Sequence, residues 1–243
     1  NEYFCMKLAK SIGLNVASVE LRYFSKYPAL LVKRFDRLAE KNEVKRVHII
    51  DACQMLNLSP SYKYEQNFVS NRDVKNMRDG VSFKKLFDAS NRCDIPAIAK
   101  KELLNWAIFN LLIGNSDAHG KNFSFYVDKQ GLKPAPFYDL VSVLAFNVEH
   151  SMAMAYGDEF DPDAILAYDL REFAQTIGIN YKLVAQILQM QAKNIIQAIT
   201  EEKVPVDTNS KESKESFDTL KETILKRATS YIEVAKQMGK VSY

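Results

Sequence analysis

A polar segment interrupts the most apolar part of the chain and limits how its neighbours can fold. It is GNSDAHGKN at residues 114–122, with glycines at positions 114 and 120. The residues before it, KELLNWAIFNLLI, carry apolar side chains at helical spacing, whereas FSFYV and LKPAP after it are typical of two short strands. The sequence therefore predicts a helix, a polar loop and a hairpin, in that order. So many polar groups at one break indicate a functional loop.

Strands are predicted early in the chain and helices later, which indicates an α+β fold. A first helix with Phe4, Leu8 and Ile12 on one face ends at Gly13 and leads into two strands, VASVELRYF and PALLVKRFDR. After Ile49 the apolar spacing is mainly helical.

Two long polar segments separate the later elements. Residues 59–80 are rich in turn-forming side chains and are predicted to form a surface loop, and residues 201–216 lack any apolar period and are predicted to form a linker. A last helix is expected at about residues 217–238.

The composition excludes several classes of protein. A chain of 243 residues with 47% hydrophobic residues is long enough for one large core or two lobes. Its net charge of +3 is too small to predict a nucleic-acid groove or an anionic membrane surface. Three widely separated cysteines predict no disulfide framework and no zinc site, and no apolar run reaches the roughly 20 residues that span a bilayer. We therefore expect a cytoplasmic protein that contacts neither membrane nor nucleic acid directly.

Three side chains in and after the polar loop have the order and chemistry that phosphoryl transfer needs. Asp117 and Asn122 lie five residues apart, and Asp139 follows seventeen residues after Asn122, beyond the hairpin. A carboxylate is needed to orient or deprotonate the acceptor hydroxyl, and hard oxygen ligands hold magnesium against the phosphates of ATP. We assign Asp117 as the base, and Asn122 and Asp139 as metal ligands. The alternative for a single such residue is a role in stabilising a turn.

Two further residues of the loop are candidate catalytic groups. Lys121 would neutralise charge on the phosphate during transfer, and His119 would either orient the loop through hydrogen bonds or take part in the chemistry directly. A lysine on a surface loop is more often only solvated, and this alternative stays open for Lys121.

The stretch LLVKRFDR, at residues 30–37, is a candidate nucleotide-binding site. It reads as an apolar strand that ends in a polar turn, as a hinge between two lobes would. Main-chain groups of Lys33 and Phe35 would bind the adenine edge, and the Asp36 carboxylate would accept hydrogen bonds from ribose hydroxyls. The alternative is a strand that simply ends in a charged turn.

Several motifs resemble the C-terminal domain of the HipA-like serine/threonine kinases, the toxins of bacterial toxin–antitoxin modules: NEYFCMKLA, LLVKRFDR, IDACQML, KYE, IGNSDAHGKNFSFY and APFYDLVS. The resemblance covers residues 1–199 and implies a two-lobed, kinase-like α+β fold, with most of the helical C-terminal lobe and part of the N-terminal sheet. It implies ATP and Mg²⁺ as cofactors and the base, metal-ligand and hinge roles given above. It also makes Glu2 a candidate partner of the ATP lysine; an ordinary acidic residue in a first helical turn is the alternative.

The resemblance divides the chain into four parts. Residues 1–36 would form the end of the N-terminal lobe and the hinge, residues 37–200 the helical lobe with the catalytic loop, residues 201–216 a linker, and residues 217–243 a last helix. The G-x-G-x-x-G loop and the strand lysine of kinases have no match in this sequence. We expect both upstream of Asn1 in the natural protein; a second chain or a degenerate kinase are the alternatives.

The same resemblance implies partners: a helix-turn-helix antitoxin, a protein substrate among the aminoacyl-tRNA synthetases and, in some members, a separate small protein that carries the N-terminal portion. Two other functions stay open. A small-molecule phosphotransferase would use a similar loop, and the acidic run GDEFDPD at residues 157–163 would suit a cationic acceptor. A non-catalytic module that only docks a partner would need none of the three assigned side chains.

Overall fold

The computed structural model describes residues 1–41, 43–66, 77–146, 151–204 and 211–241, with side chains from residue 214 in the last range. The helices are α1 Glu2–Ser11, α2 Ala52–Met55, α3 Phe83–Ala89, α4 Pro96–Ile113, α5 Ala167–Thr176, α6 Tyr181–Thr200 and α7 Lys211–Gln237. The strands are β1 Val19–Phe24, β2 Tyr27–Val32, β3 Arg37–Glu40, β4 Glu43–Arg46, β5 Ile49–Asp51, β6 Ser124–Asp128 and β7 Gly131–Pro134. The predicted α+β class is confirmed.

The strands of the described residues pair in antiparallel fashion. β1 pairs with β2, β3 pairs with β4, and β6 lies between β5 and β7 in a three-stranded sheet. The hairpin predicted after the polar loop is therefore confirmed as β6 and β7. The sequence did not predict β3, β4 or β5, because β4 and most of β3 are exposed and β5 has only three residues, so none shows an alternating apolar pattern.

Helix α4 forms the centre of the core and sets the position of the polar loop. Pro96 lies in its first turn, and Gly114 ends it with φ of 69°, the left-handed conformation that glycine adopts without strain. Every residue from Leu103 to Ile113 is buried, because α3, α6, α7 and β7 surround the helix. The loop therefore begins at a rigid element.

The last helix begins earlier than the sequence predicted, at Lys211 instead of Phe217. Lysine and glutamate favour helix even without an apolar period, so they extend the helix towards its N-terminus. The predicted apolar face, which includes the buried Leu220, Ile224 and Ala228, packs within the same chain because α7 contacts α6 and α4. Parts of the predicted loop and linker, residues 67–76 and 205–210, lie outside the described residues.

The structure also describes the state of the cysteines and the apolar character of the helices. Cys5, Cys53 and Cys93 are buried free thiols. Across the ranges given above, no helix combines the length and the apolar character needed to cross a membrane.

Buried tyrosine side chains are expected to make the free energy of unfolding fall at alkaline pH. Burial raises the pKa of Tyr138 and Tyr231 to about 12, and raises that of Tyr156 well above its ordinary value. Tyrosines of the unfolded chain ionise at about pH 10. The stabilisation that comes from this difference in pKa is therefore fully present below about pH 10, and it is lost as the pH rises towards about 12. We expect the urea midpoint to fall over this range. Tyrosines that are exposed to solvent should ionise first, and the phenolate absorbance of the buried tyrosines should appear only together with unfolding. Full ionisation at about pH 10 in a folded chain would contradict this expectation.

Candidate active site

The polar loop between α4 and β6 is held by main-chain hydrogen bonds to other segments. The Gly120 N–H donates to the Lys63 carbonyl at 2.8 Å, and the Ala52 N–H donates to the carbonyls of Gly120 and Phe123 at 3.0 and 2.9 Å. A side chain at position 120 would meet Val81, so glycine allows this close approach. The loop is therefore fixed from two sides before any ligand binds.

Asp117 lies at the exposed side of the loop. Its Oδ1 accepts a hydrogen bond of 2.7 Å from the Tyr64 hydroxyl, and its carbonyl accepts one of 2.8 Å from the His119 N–H. The Tyr64 ring makes an edge contact with the His119 ring, with 5.2 Å between the centroids. An exposed carboxylate with one oxygen held in this way is suited to meet the hydroxyl of an incoming substrate.

Asn122 and Asp139 meet beside the same turn. The Asn122 Nδ2 donates to Asp139 Oδ2, and its Oδ1 accepts from the His119 N–H at 3.1 Å. Asp139 has φ of 56°, a conformation that Asp and Asn tolerate better than most residues. The His119 N–H thus links Asn122 to Asp117, and the structure brings together the three residues selected from the sequence.

The Asn122 and Asp139 pair fits a magnesium ion that arrives with a nucleotide. Within the described part of the chain, no group of three or more His, Cys, Asp or Glu side chains is arranged to hold a metal. Magnesium takes phosphate oxygens and waters as its other ligands, so one carboxylate and one amide carbonyl are enough from the protein. The Asn122 amide meets Asp139 through its NH₂ group, so it would have to rotate to present its carbonyl to the metal.

Lys121 and His119 occupy different environments. The Lys121 Nζ lies 3.8 Å from Asp51 Oδ2, and its side chain is 45% exposed, which leaves it accessible to a phosphate. His119 is buried, and this burial lowers its pKa although the Asp117 charge acts in the opposite direction. Its Nδ1 accepts from the Lys121 N–H at 3.3 Å. These contacts favour a neutral histidine that orients the loop.

Two residues of the predicted hinge, Lys33 and Asp36, already make hydrogen bonds or ion pairs within the chain. The Lys33 N–H donates to the Ser18 carbonyl at 2.8 Å, and the Asp36 carboxylate forms ion pairs with Arg34 and Arg37. The hydrogen bonds from Arg34 lower the Asp36 pKa. A ribose hydroxyl at Asp36 would therefore compete with two guanidinium groups.

Phe35 connects the hinge to the catalytic loop. Its ring lies 5.7 Å from that of Tyr138 and 5.9 Å from that of Tyr126, measured between centroids. The Tyr138 hydroxyl donates to the Lys121 carbonyl and bonds with Ser124 Oγ at 2.8 Å. An aromatic cluster therefore joins the candidate adenine site to the candidate phosphate site.

Glu2 lies close to the candidate metal site. Partial burial and the Asp139 charge both raise its pKa. Asn1 fixes the start of α1 against the segment after Asp139, because its side chain donates to the Ser142 carbonyl and accepts from the Ser142 N–H, both at 2.9 Å. Glu2 makes no ion pair with another side chain among the described residues.

The sequence reasoning assigned no role to Tyr64 and Glu65 of the KYE motif. Glu65 is 3% exposed, forms an ion pair with Arg78, and accepts a hydrogen bond from the Ala155 N–H at 2.8 Å. The only sequence signal was a short polar triplet within a longer polar segment. Asp117 lies 53 positions from Tyr64, and Ala155 lies 90 positions from Glu65, so local spacing could not identify these two contacts.

Replacing Gly80 with alanine is expected to destabilise the segment that holds Tyr64. A Cβ at this position would collide with the main-chain carbonyl oxygens of Tyr64 and Tyr62, which cannot move aside as a side chain would. We expect the free energy of unfolding to fall by about 2 kcal/mol or more, as measured by urea titration. Gly239→Ala is the control, because a Cβ there meets nothing within 4 Å. Equal effects at both positions would contradict the steric account.

Known proteins of similar sequence identify the family of this chain. Residues 1–204 match the sequence family described as HipA-like C-terminal domain. The chain is 48% identical over 204 residues to the serine/threonine-protein kinase toxin HipA of Shewanella oneidensis, which covers 83% of this chain and 47% of that protein. The chain spans about half the length of these curated relatives, HipA of Shewanella oneidensis and the putative kinase Y4mE of Sinorhizobium fredii.

Two of the solved structures that are similar in fold are compared with this chain. A chain in the complex of the Shewanella oneidensis MR-1 toxin–antitoxin system HipA, HipB and operator DNA aligns with a TM-score of 0.96 and 43% identity, covering 100% of this chain and 58% of that one. The Helicobacter pylori proinflammatory kinase CtkA aligns with a TM-score of 0.55 and 16% identity over 98% of this chain and 81% of that one. The second match concerns the fold alone, and together they show a kinase-like α+β fold.

Proposed function

Because this chain belongs to the family of HipA-like C-terminal domains, we propose that it carries the phosphoryl-transfer site of a serine/threonine protein kinase that acts as a bacterial toxin. The observation that carries the proposal is that the His119 N–H joins Asp117 to Asn122, whose amide meets Asp139. A base and two oxygen ligands at one turn are among the parts that transfer of a γ-phosphate requires from a protein.

Each residue has a distinct part in this proposal. Asp117 orients the acceptor hydroxyl and takes its proton. Asn122 and Asp139 would hold Mg²⁺, which neutralises phosphate charge when it is bound with ATP. Lys121 approaches the transferred phosphate from the exposed side of the loop, and neutral His119 keeps the turn in place.

The nucleotide is proposed to lie between the hinge and the loop. The Lys33 carbonyl and the Phe35 N–H would contact adenine, because the Lys33 N–H already donates to Ser18 and the Phe35 carbonyl already accepts from Tyr126. The Phe35–Tyr138 ring contact supports this position because Tyr138 bonds to the loop. Asp36 would contact the ribose only by sharing its carboxylate with Arg34 and Arg37. This arrangement follows the four-part division given above, with residues 1–36 ending the N-terminal lobe.

The partners are proposals that rest on the family. A complex that contains HipA, HipB and operator DNA supports an antitoxin partner, which we propose to be a helix-turn-helix protein. We propose an aminoacyl-tRNA synthetase as the phosphorylated protein and the cytoplasm as the location. A separate small protein that supplies the N-terminal portion would provide the phosphate-covering loop and the lysine that pairs with Glu2.

Label transfer tests the proposed function. The full-length natural protein, together with any small partner encoded beside it, is incubated with γ-labelled Mg-ATP and a bacterial lysate, in parallel with the Asp117→Asn variant. A discrete labelled protein that is absent with the variant is the expected result. Label only in small molecules would indicate a small-molecule phosphotransferase, and no label with a folded protein would indicate a non-catalytic binding module.

A further inference from the structure

We propose that Tyr64 is a positioning residue for the catalytic base: its hydroxyl donates to Asp117 Oδ1 at 2.7 Å and directs the rest of that carboxylate towards the acceptor hydroxyl. The inference rests on the proposed function, because it assigns Tyr64 to the same phosphoryl-transfer site. It concerns a residue 53 positions away from the base along the chain.

The backbone on both sides of Tyr64 is anchored. The Lys63 carbonyl accepts from the Gly120 N–H of the catalytic loop at 2.8 Å. On the other side, the Glu65 N–H donates to the Ala153 carbonyl at 2.9 Å, and the Glu65 carbonyl accepts from the Gly80 N–H at 3.2 Å. Tyr64 therefore projects from a segment that cannot move without breaking three main-chain hydrogen bonds.

The buried Glu65 strengthens this anchor. Its carboxylate is almost fully removed from water and is paired with Arg78, which also pairs with the exposed Asp158. A buried carboxylate needs such partners, so the pair keeps this segment in one place. The KYE motif thus has one contact with the loop through Lys63, one with the base through Tyr64, and one with the protein interior through Glu65.

The Tyr64 ring is also held in a defined orientation. It makes the edge contact with His119, and the Lys63 ammonium lies 4.6 Å from its centroid. Partial burial is the main cause that raises the pKa of Tyr64, and the hydrogen bond to Asp117 adds to it. The hydroxyl therefore keeps its proton and acts as a donor at neutral pH.

An exposed catalytic carboxylate needs this kind of constraint. A free Asp side chain samples several rotamers, and catalysis requires one in which an oxygen lies within about 2.6–3.2 Å of the acceptor hydroxyl. When Tyr64 holds Oδ1, the direction of Oδ2 is set before the substrate arrives. Small errors in such positions reduce rates strongly, so loss of the donor acts on the chemical step.

A hydroxyl beside the base could instead occupy the place of the acceptor and block it. A blocking tyrosine has to leave when substrate binds, whereas the anchored segment and the two ring contacts keep Tyr64 in place. The structure therefore favours positioning over blocking, and the two roles predict opposite effects when the hydroxyl is removed.

The test compares Tyr64→Phe with wild-type full-length protein, because phenylalanine keeps the ring and removes only the donor. Transfer of label from Mg-ATP to lysate protein is measured over a series of ATP concentrations, together with the thermal unfolding midpoint. We expect the maximal rate to fall about 10- to 100-fold, with the KM for ATP and the midpoint unchanged. Tyr62→Phe, at a neighbouring tyrosine that is 38% exposed, should match wild type.

Several results would overturn the inference. A Tyr64→Phe rate equal to wild type would remove the positioning role, a faster rate would indicate blocking, and phosphate on Tyr64 in mass spectra would make it an acceptor. A fall in rate that is accompanied by a lower unfolding midpoint would indicate a structural role only. If Asp117→Asn is inactive while Tyr64→Phe matches wild type, the proposed function stands and this inference alone fails; an inactive wild type rejects both.

Discussion

Replacing Asp117 with asparagine is expected to slow phosphoryl transfer by about 10²- to 10⁴-fold, the usual contribution of a positioned general base. Asparagine has nearly the same shape, and its carbonyl oxygen can still accept the hydrogen bond from Tyr64, so the loop should keep its conformation. ATP binding should be unchanged, because the residue is assigned to the acceptor and not to the nucleotide. Single-turnover transfer of labelled phosphate measures the rate, and calorimetry measures the ATP affinity.

Asp88→Asn is the matched control for this prediction. Asp88 is an exposed carboxylate on α3, with 66% of its side chain accessible and an ion pair to Lys84 within the same helix. The same chemical change there should leave the transfer rate at the wild-type level. An active Asp117→Asn enzyme, or one that has lost ATP affinity instead of its transfer rate, would argue against Asp117 as the base.

Replacing Asp139 with asparagine is expected to abolish the gain in ATP affinity that Mg²⁺ provides, and to slow transfer by about 10³-fold or more. The carboxylate is the only formal negative charge in the proposed two-residue metal site. The substitution should preserve the fold, because asparagine tolerates the φ of 56° and its carbonyl can accept from the Asn122 amide. The lower ATP affinity and transfer rate of this variant would therefore come from the lost negative charge and not from a change in fold.

Calorimetry with and without Mg²⁺ measures this effect. In the wild type, ATP should bind more tightly when the metal is present, and Asp139→Asn should bind ATP equally in both conditions. Asp88→Asn should behave as wild type does. If Asp139→Asn keeps the full metal dependence, the metal is held elsewhere and the assignment of Asn122 and Asp139 is wrong.

The parts of the site that the sequence predicted are those set by local signals. The apolar period of α4, the stop at Gly114 and the two short strands after the loop are all readable from neighbouring residues. Because the β6–β7 hairpin returns the chain to the loop, Asp139 comes back beside Asn122 although 17 positions separate them. Spacing within one supersecondary unit was therefore sufficient to select the three residues.

The remaining parts depend on contacts that no local pattern encodes. The Tyr64 hydroxyl reaches Asp117 across 53 positions, and Glu65 accepts from the Ala155 N–H across 90 positions. The case of Asp36 is different, because its two arginine neighbours are adjacent in sequence and visible there. The ion pairs with these neighbours compete with the ribose contact predicted for its carboxylate. Short-range charge pairing should be considered before a ligand is assigned to an acidic residue.

The most direct test of the central claim is the rate of the Asp117→Asn/Asp139→Asn double variant, measured in single-turnover label transfer beside the two single variants. Residues that act as one catalytic unit have effects that do not add, because a base without a positioned phosphate has little left to contribute. A single phosphoryl-transfer site predicts a double variant about as slow as the slower single variant. Losses that multiply in full would show that the two carboxylates act independently, which would contradict a single phosphoryl-transfer site.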